Sequence, residues 1–219
     1  MIFKEHESVT FTFEGHRPRL TINVLKKMSV PFPKPFSHLS KDCQPMADKP
    51  RKYSKTDLHF ICDETQCLLS DDLIEPSNSQ WRAHALVVKE QSGKRHMVID
   101  YSRTINWFTQ LDTYMLHHID EIVNELARYR VFTTADLKSA YHQLELNPHN
   151  REFTVFQSGN ALYHWRRLPF GLTNAVPDFQ QTIDYIVREN DLKWCYPYLD
   201  DRMIAIANQV ERHRNLQAF

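Results

Sequence analysis

At 219 residues the chain has room for one large domain or two small ones, and is long enough to bury a real core. Lys plus Arg equal Asp plus Glu at 27 each, so no overall positive charge announces a nucleic-acid binder, and attraction for phosphates has to come from local patches. A composition of 42% hydrophobic and 25% charged residues is ordinary for a soluble globular protein, and no apolar run approaches a membrane span.

Smaller counts narrow the chemistry further. The start, Met1-Ile2-Phe3-Lys4-Glu5-His6, is not a signal peptide. Cys43, Cys62, Cys67 and Cys195 make no Cys-x-x-Cys pair, and the Cys62 to Cys67 spacing lacks a second half for a zinc site, so free thiols are expected. Glycine occurs only at Gly15, Gly93, Gly159 and Gly171, well below the usual share of about 7%, so each is expected where nothing else fits.

In chain order, residues 9–13 and 20–24 alternate like two strands about Gly15 and predict a hairpin. A proline-rich polar stretch follows, with Pro31, Pro33, Pro35, Pro45 and Pro50 among Lys41, Lys49, Arg51 and Lys52, and reads as a linker. Ser54 with Asp57 three residues on is an N-cap signal, and Leu58, Ile61, Cys62, Leu68 and Leu69 share one face of a helix over about 55–70. Residues 83–89 and 95–100 are strand-like runs joined by a turn with Gly93 at the position needing positive φ. Ile119, Ile122, Val123 and Leu126 predict a short amphipathic helix. A β-rich run over 131–135 ends at Asp136, and 153–157 with 161–165 form another hairpin about Gly159. A helix over 176–189 carries Phe179, Ile183 and Ile186, a strand pair surrounds Asp200, and residues 208–219 begin a last helix. Strands, several of them in hairpins, separated by helices describe an α+β fold with an antiparallel sheet and helices on one face.

The chemistry concentrates at Tyr198-Leu199-Asp200-Asp201, between two short apolar runs. Adjacent side chains of a regular strand point to opposite faces, so neighbouring aspartates aim at one spot only where the chain turns. Oxygen-rich sites of this kind suit Mg²⁺, which takes one or two carboxylates together with substrate phosphates. A plain Asp-Asp turn between strands is the simpler reading of the pair alone. Asp136 at a strand end is a second candidate ligand, and Gly171 in Leu168-Pro169-Phe170-Gly171-Leu172-Thr173-Asn174-Ala175 sits where a loop leads into a helix and a backbone could approach a nucleotide.

Together with Phe132-Thr133-Thr134-Ala135-Asp136-Leu137-Lys138-Ser139-Ala140-Tyr141-His142-Gln143, these stretches resemble the three palm motifs of reverse transcriptases, in the flavour of gypsy-type LTR retrotransposons. Val98-Ile99-Asp100-Tyr101 with Ile105-Asn106 resembles the fingers segment of that family, and all four occur in the family's order. The resemblance covers about 54–219. It implies a right-hand polymerase palm plus fingers with the thumb absent, after an N-terminal region, 1–53, of hairpin and linker whose first 25 residues faintly resemble the tail of a retroelement aspartic protease. No Asp-Thr-Gly or Asp-Ser-Gly is present to support protease activity. Past Phe219 the family continues to the primer grip, thumb, ribonuclease H and integrase.

By position, the resemblance implies that Asp136, Asp200 and Asp201 are the catalytic carboxylates and hold two Mg²⁺ ions, with Mn²⁺ as a substitute. Asp136 and Asp200 are the leading candidates. It implies nucleotide contacts from Lys89, Arg95, Leu137, Lys138, Ser139, Ala140, Tyr141, Phe170 and Gly171, with Tyr141 as the aromatic gate that clashes with a ribose 2′-hydroxyl. The activity implied is RNA-directed DNA polymerisation on a primer and an RNA or DNA template, in the cytoplasmic virus-like particle of a retroelement or in the nucleus. Three departures stand out: His96 where the family has arginine, with Arg95 one residue earlier; Arg202 where relatives run into apolar residues; and Val176-Pro177-Asp178 at a helix start. They keep open the alternative of an inactive retroelement remnant that at most binds nucleic acid. Another palm-type nucleotidyl transferase is a third reading, but nucleotide cyclases have no reason to carry residues 168–175 or Tyr141.

Overall fold

The computed structural model describes residues 10–14, 17–22, 30–49, 51–129 and 131–206. Two compact units share the chain: the first takes Met1–Pro31, Thr113–Gln143 and Val176–Phe219, the second Phe32–Asp112 and Leu144–Ala175. The predicted helix over 208–219, the turn at Gly15 and residues 9, 23 and 24 of the first hairpin lie outside the described residues.

The first unit is a five-stranded sheet in the order β1 (Thr10–Glu14), β2 (Arg17–Ile22), β6 (Val131–Leu137), β10 (Asp201–Ile206), β9 (Cys195–Tyr198), antiparallel except where β2 runs parallel to β6. Helix α4 (Ala175–Glu189) buries Phe179, Ile183 and Ile186, as the apolar spacing predicts. It also buries Asp178, Gln180 and Thr182, three polar residues within little more than one turn. Helix α3 (Ile119–Leu126) buries only Ile122 and Leu126, which cluster with Ala205 of β10 and pack against Met203 and Tyr196. Ile119 and Val123, expected on the same face, are more than half exposed.

The second unit is also five-stranded, ordered β3 (Ile74–Pro76), β8 (Ala161–Trp165), β7 (Phe156–Ser158), β4 (Ala83–Lys89), β5 (Arg95–Asp100), with β4 and β7 parallel. Helix α1 (Lys55–Ser70) starts as predicted, because Ser54 Oγ accepts a hydrogen bond from the Asp57 N–H at 3.0 Å. The β4–β5 turn closes through Glu90 N–H to the Lys94 carbonyl, with Gly93 at φ +82°. A short helix α2 (Ile105–Phe108) follows β5.

Two stretches of this unit differ from expectation. Within the stretch read as linker, Pro33, Pro35 and Phe36 are buried: Phe36 is 8% exposed and meets Phe153 edge-on at 5.0 Å, in a cluster with Trp81 and Phe108. Burying one such ring is worth about 1.5–3 kcal/mol, enough to hold a stretch whose prolines suggest only extension. The predicted strand over 153–157 shortens to β7, because a 3-10 turn over Pro148–Thr154 occupies its start. The Thr154 hydroxyl donates to the Arg151 carbonyl and accepts from the Trp165 N–H, fixing that break.

Candidate active site

The register of the first sheet decides which carboxylates meet. Asp136 on β6 is the direct partner of Asp201 on β10, and Asp201 is in turn the partner of Tyr198 on β9. Residues directly opposite on antiparallel strands share a face, with Cβ atoms about 4.5–5.5 Å apart. The two aspartates, 65 positions apart in sequence, therefore stand side by side. The turn of the hairpin is Leu199-Asp200, so Asp201 already belongs to the strand and Asp200 occupies the tip. Asp200 and Asp201 are exposed, and the Asp200 carbonyl accepts from the Leu137 N–H at 3.1 Å, tying the tip to the end of β6.

The tip is strained and held. Leu199 has φ +53°, a conformation that suits glycine at the first central position of a tight hairpin and costs a bulky residue on the order of 1–3 kcal/mol. Gln180, fully buried on α4, accepts from the Leu199 N–H at 2.7 Å. Its Nε2 donates to the Asp184 carboxylate at 2.9 Å, and Asp184 accepts from the Tyr114 hydroxyl at 2.5 Å and lies 3.2 Å from His117 Nε2. Arg202 is 1% exposed and donates from Nη1 to the carbonyls of Leu199 and Asp201.

Beyond Asp136 the chain bends through Ser139 at φ +48° into a 3-10 turn over Ala140–Gln143. Gln143 Nε2 donates to the Lys138 carbonyl at 2.8 Å and braces this loop. Leu137 and Ala140 are buried while Lys138 and Ser139 face outward. Tyr141 is 7% exposed, its ring stacked on Phe179 with centroids 4.6 Å apart. Burial, and secondarily the charge of Asp200, raise the Tyr141 hydroxyl pKa, so the phenol stays neutral.

The remaining expected nucleotide contacts, Lys89, Arg95, Phe170 and Gly171, belong to the second unit. Lys89 and Arg95 are opposite partners at the turn end of the β4–β5 hairpin, and Arg95 lies over the Phe60 ring at 4.5 Å. His96 is turned to Glu90, Nε2 to Oε1 2.5 Å. Phe170 is 55% exposed. Gly171 has φ +90°, and a Cβ there would meet the Ile99 carbonyl at 3.2 Å, so this glycine is required by both conformation and space. Its carbonyl accepts from Asn106 Nδ2 at 2.7 Å while Asn106 Oδ1 accepts from the Thr173 N–H. Buried Asn174 accepts from the Asp112 N–H and donates to the Gln110 carbonyl.

Asn106, Asn174 and Gln180 are supporting residues that sequence reasoning did not assign. For the first two, their places inside the quoted motifs were the available signal. Gln180 carries none, since nothing distinguishes it from exposed Gln181.

The donor set around Asp136 and Asp201 is all oxygen, as a hard divalent cation requires. Among the described residues no three His, Cys, Asp or Glu side chains form a ready-made metal cage.

A carboxylate pair on a mostly antiparallel sheet, with a hairpin-rich second unit, is the palm-and-fingers class of polymerase fold. The family described as reverse transcriptase (RNA-dependent DNA polymerase) matches residues 87–219, and the chain belongs to that family. Its sequence is similar to gypsy-type Pol polyproteins: 37% identical over 163 residues to the Retrovirus-related Pol polyprotein from transposon gypsy of Drosophila melanogaster, covering 72% of this chain and 16% of that protein. The corresponding polyprotein from transposon 412 of the same fly is 32% identical over 182 residues, covering 80% of this chain and 15% of that protein. The Enzymatic polyprotein of Cauliflower mosaic virus (strain Strasbourg) is 32% identical over 169 residues, covering 75% and 24%. The chain thus spans about a sixth to a quarter of these relatives. In fold it resembles the foamy viral protease-reverse transcriptase solved in complex with an RNA/DNA hybrid, at a TM-score of 0.71 and 19% identity over 86% of this chain and 25% of that one. The foamy viral protease-reverse transcriptase dRH, solved in complex with double-stranded DNA, gives a TM-score of 0.67 and 20% identity over 87% of this chain and 33% of that one.

Proposed function

We propose that this chain is the fingers and palm segment of an RNA-directed DNA polymerase, adding a deoxynucleotide to a primer 3′-end against an RNA or DNA template. The observation that carries the reading is the pairing of Asp136 with Asp201 beside the Asp200 turn. Asp136, Asp200 and Asp201 would hold the divalent ions. When bound, such ions neutralise charge on the attacking 3′-oxygen and the leaving pyrophosphate of an in-line displacement.

The chain's own residues supply position. The cross-strand pair of Asp136 and Asp201 sits next to the braced turn that carries Asp200, an arrangement that would need little reorganisation as charge develops. The outward side of the loop at Lys138 and Ser139 is the surface offered to a triphosphate. Its neighbour Leu137 has its N–H committed to Asp200 and contributes through packing. Tyr141, immobilised on Phe179, is the wall against which a ribose 2′-hydroxyl would clash. Lys89 and Arg95 give the second unit a cationic hairpin end for phosphates. Template grip through phosphates and A-form shape suits a chain whose net charge is zero, because only local cations are needed.

Primer extension on an RNA template with Mg²⁺ or Mn²⁺ tests the reading. Asp136→Asn and Asp200→Asn are each expected to lose at least about 100-fold in rate. Extension by the variants equal to that of the unaltered chain would end it, and nucleic-acid binding with no extension by any of the three would favour the inactive remnant.

A further inference from the structure

Arg202 is only 1% exposed, although it follows directly on two exposed aspartates. Strand alternation turns it to the face opposite Asp201. There its Nη1 reaches back to the Leu199 and Asp201 carbonyls, on either side of Asp200. Its guanidinium carbon also lies 5.7 Å from the centroid of Phe179, the ring on which Tyr141 is stacked. One side chain thus touches the backbone of the tip and the support of the sugar wall.

Packing does not explain an arginine at this place. Burial lowers its pKa to about 10, partly offset by Cys195 and by Asp200, Asp184 and Asp201, so it is still a cation at neutral pH. Its Nη2 is buried without a hydrogen-bond partner among the described residues. An apolar side chain of similar volume would avoid both penalties, and such replacements of buried charge are often neutral or stabilising. What an apolar residue cannot do is hold two carbonyls of a strained turn with a planar, permanently charged group.

We propose that Arg202 is a positioning residue that fixes the Leu199-Asp200 turn and, through Phe179, the Tyr141 ring, so that preference for deoxyribose over ribose depends on it. The sugar part rests on the polymerase reading above; the turn part does not.

The test uses the full chain and three substitutions. Hydrogen exchange is followed at the Leu199 amide, with amides of the β4–β5 hairpin as the internal reference. Arg202→Met is expected to speed Leu199 exchange at least tenfold, Arg202→Lys to speed it less, and the reference to stay unchanged. Phe179→Leu keeps the carbonyl contacts and is expected to leave Leu199 exchange as it was. In primer extension, the ratio of kcat/KM for a deoxynucleotide to that for the matching ribonucleotide is expected to fall about tenfold in Arg202→Met and in Phe179→Leu. A general loss of structure would lower both rates and leave that ratio in place. Unchanged Leu199 exchange in Arg202→Met and Arg202→Lys overturns the positioning role. Normal exchange effects with an unchanged sugar ratio overturn the link through Phe179. Should Arg202→Met fail to fold, Arg202→Lys decides the turn and Phe179→Leu the sugar. If the unaltered chain extends no primer, the polymerase reading falls and with it the sugar link, while Leu199 exchange still decides whether Arg202 holds the turn.

Discussion

Gly171 and Gly93 separate two reasons for a glycine. Both have positive φ, but a Cβ at Gly93 would meet nothing within 4 Å, whereas one at Gly171 presses on the Ile99 carbonyl and nears Tyr101. Gly93→Ala is expected to cost the φ strain alone, about 1 kcal/mol or somewhat more. Gly171→Ala carries crowding in addition and should lower the melting temperature further, by at least roughly 2–4 °C beyond Gly93→Ala. Equal melting temperatures for the two variants would show that the Gly171 loop relaxes freely. Asn106 explains why it should not, since its amide holds both the Gly171 carbonyl and the Thr173 N–H.

Among the elements, α1 is the one whose local chemistry is complete within its own sequence. The Ser54 cap, the acidic first turn at Asp57 and the burial of Ile61 and Thr65 all point to the same helix. Ser54→Ala is expected to destabilise by about 1 kcal/mol in denaturant unfolding, with Ser54→Asp close to neutral. An unchanged midpoint for Ser54→Ala would mean that tertiary contacts alone fix where the helix begins. The β9–β10 hairpin is the opposite case. Its tip has a leucine where local preference asks for glycine, and it keeps its shape through Gln180 and Arg202 from outside the turn.

At the scale of the molecule, each unit is assembled from separated stretches of chain, so its stability depends on joints between them. In the second unit one joint is Glu75 on β3, which meets Arg151 at 2.9 Å and His164 at 2.9 Å, both from the later stretch. Burial raises the Glu75 pKa, but hydrogen bonds from His164 and Arg151 outweigh it and leave the group below its ordinary 4.5. A carboxylate with a lowered folded pKa gives stability that is present above the unfolded value and lost as pH falls through the folded one. Melting temperature should therefore decline more steeply below about pH 4.5 in the unaltered chain than in Glu75→Gln. Parallel acid curves would remove Glu75 as a joint.

The sequence by itself determined the local matters: α1 with its cap, the β4 and β5 runs with their glycine turn, the α4 stripe, and the motif order that marks a reverse transcriptase. These are legible because period, capping and turn chemistry act between residues a few positions apart. It could not show that Phe36 packs against Phe153, because an isolated aromatic among prolines carries no period. Nor could it show that Asp201 rather than Asp200 faces Asp136, or that Arg202 turns beneath the hairpin to the turn carbonyls. Only the tertiary structure decided those points, for a physical reason: strand periodicity fixes which side chains share a face, while the partner across the sheet is chosen by register between segments some 65 residues apart.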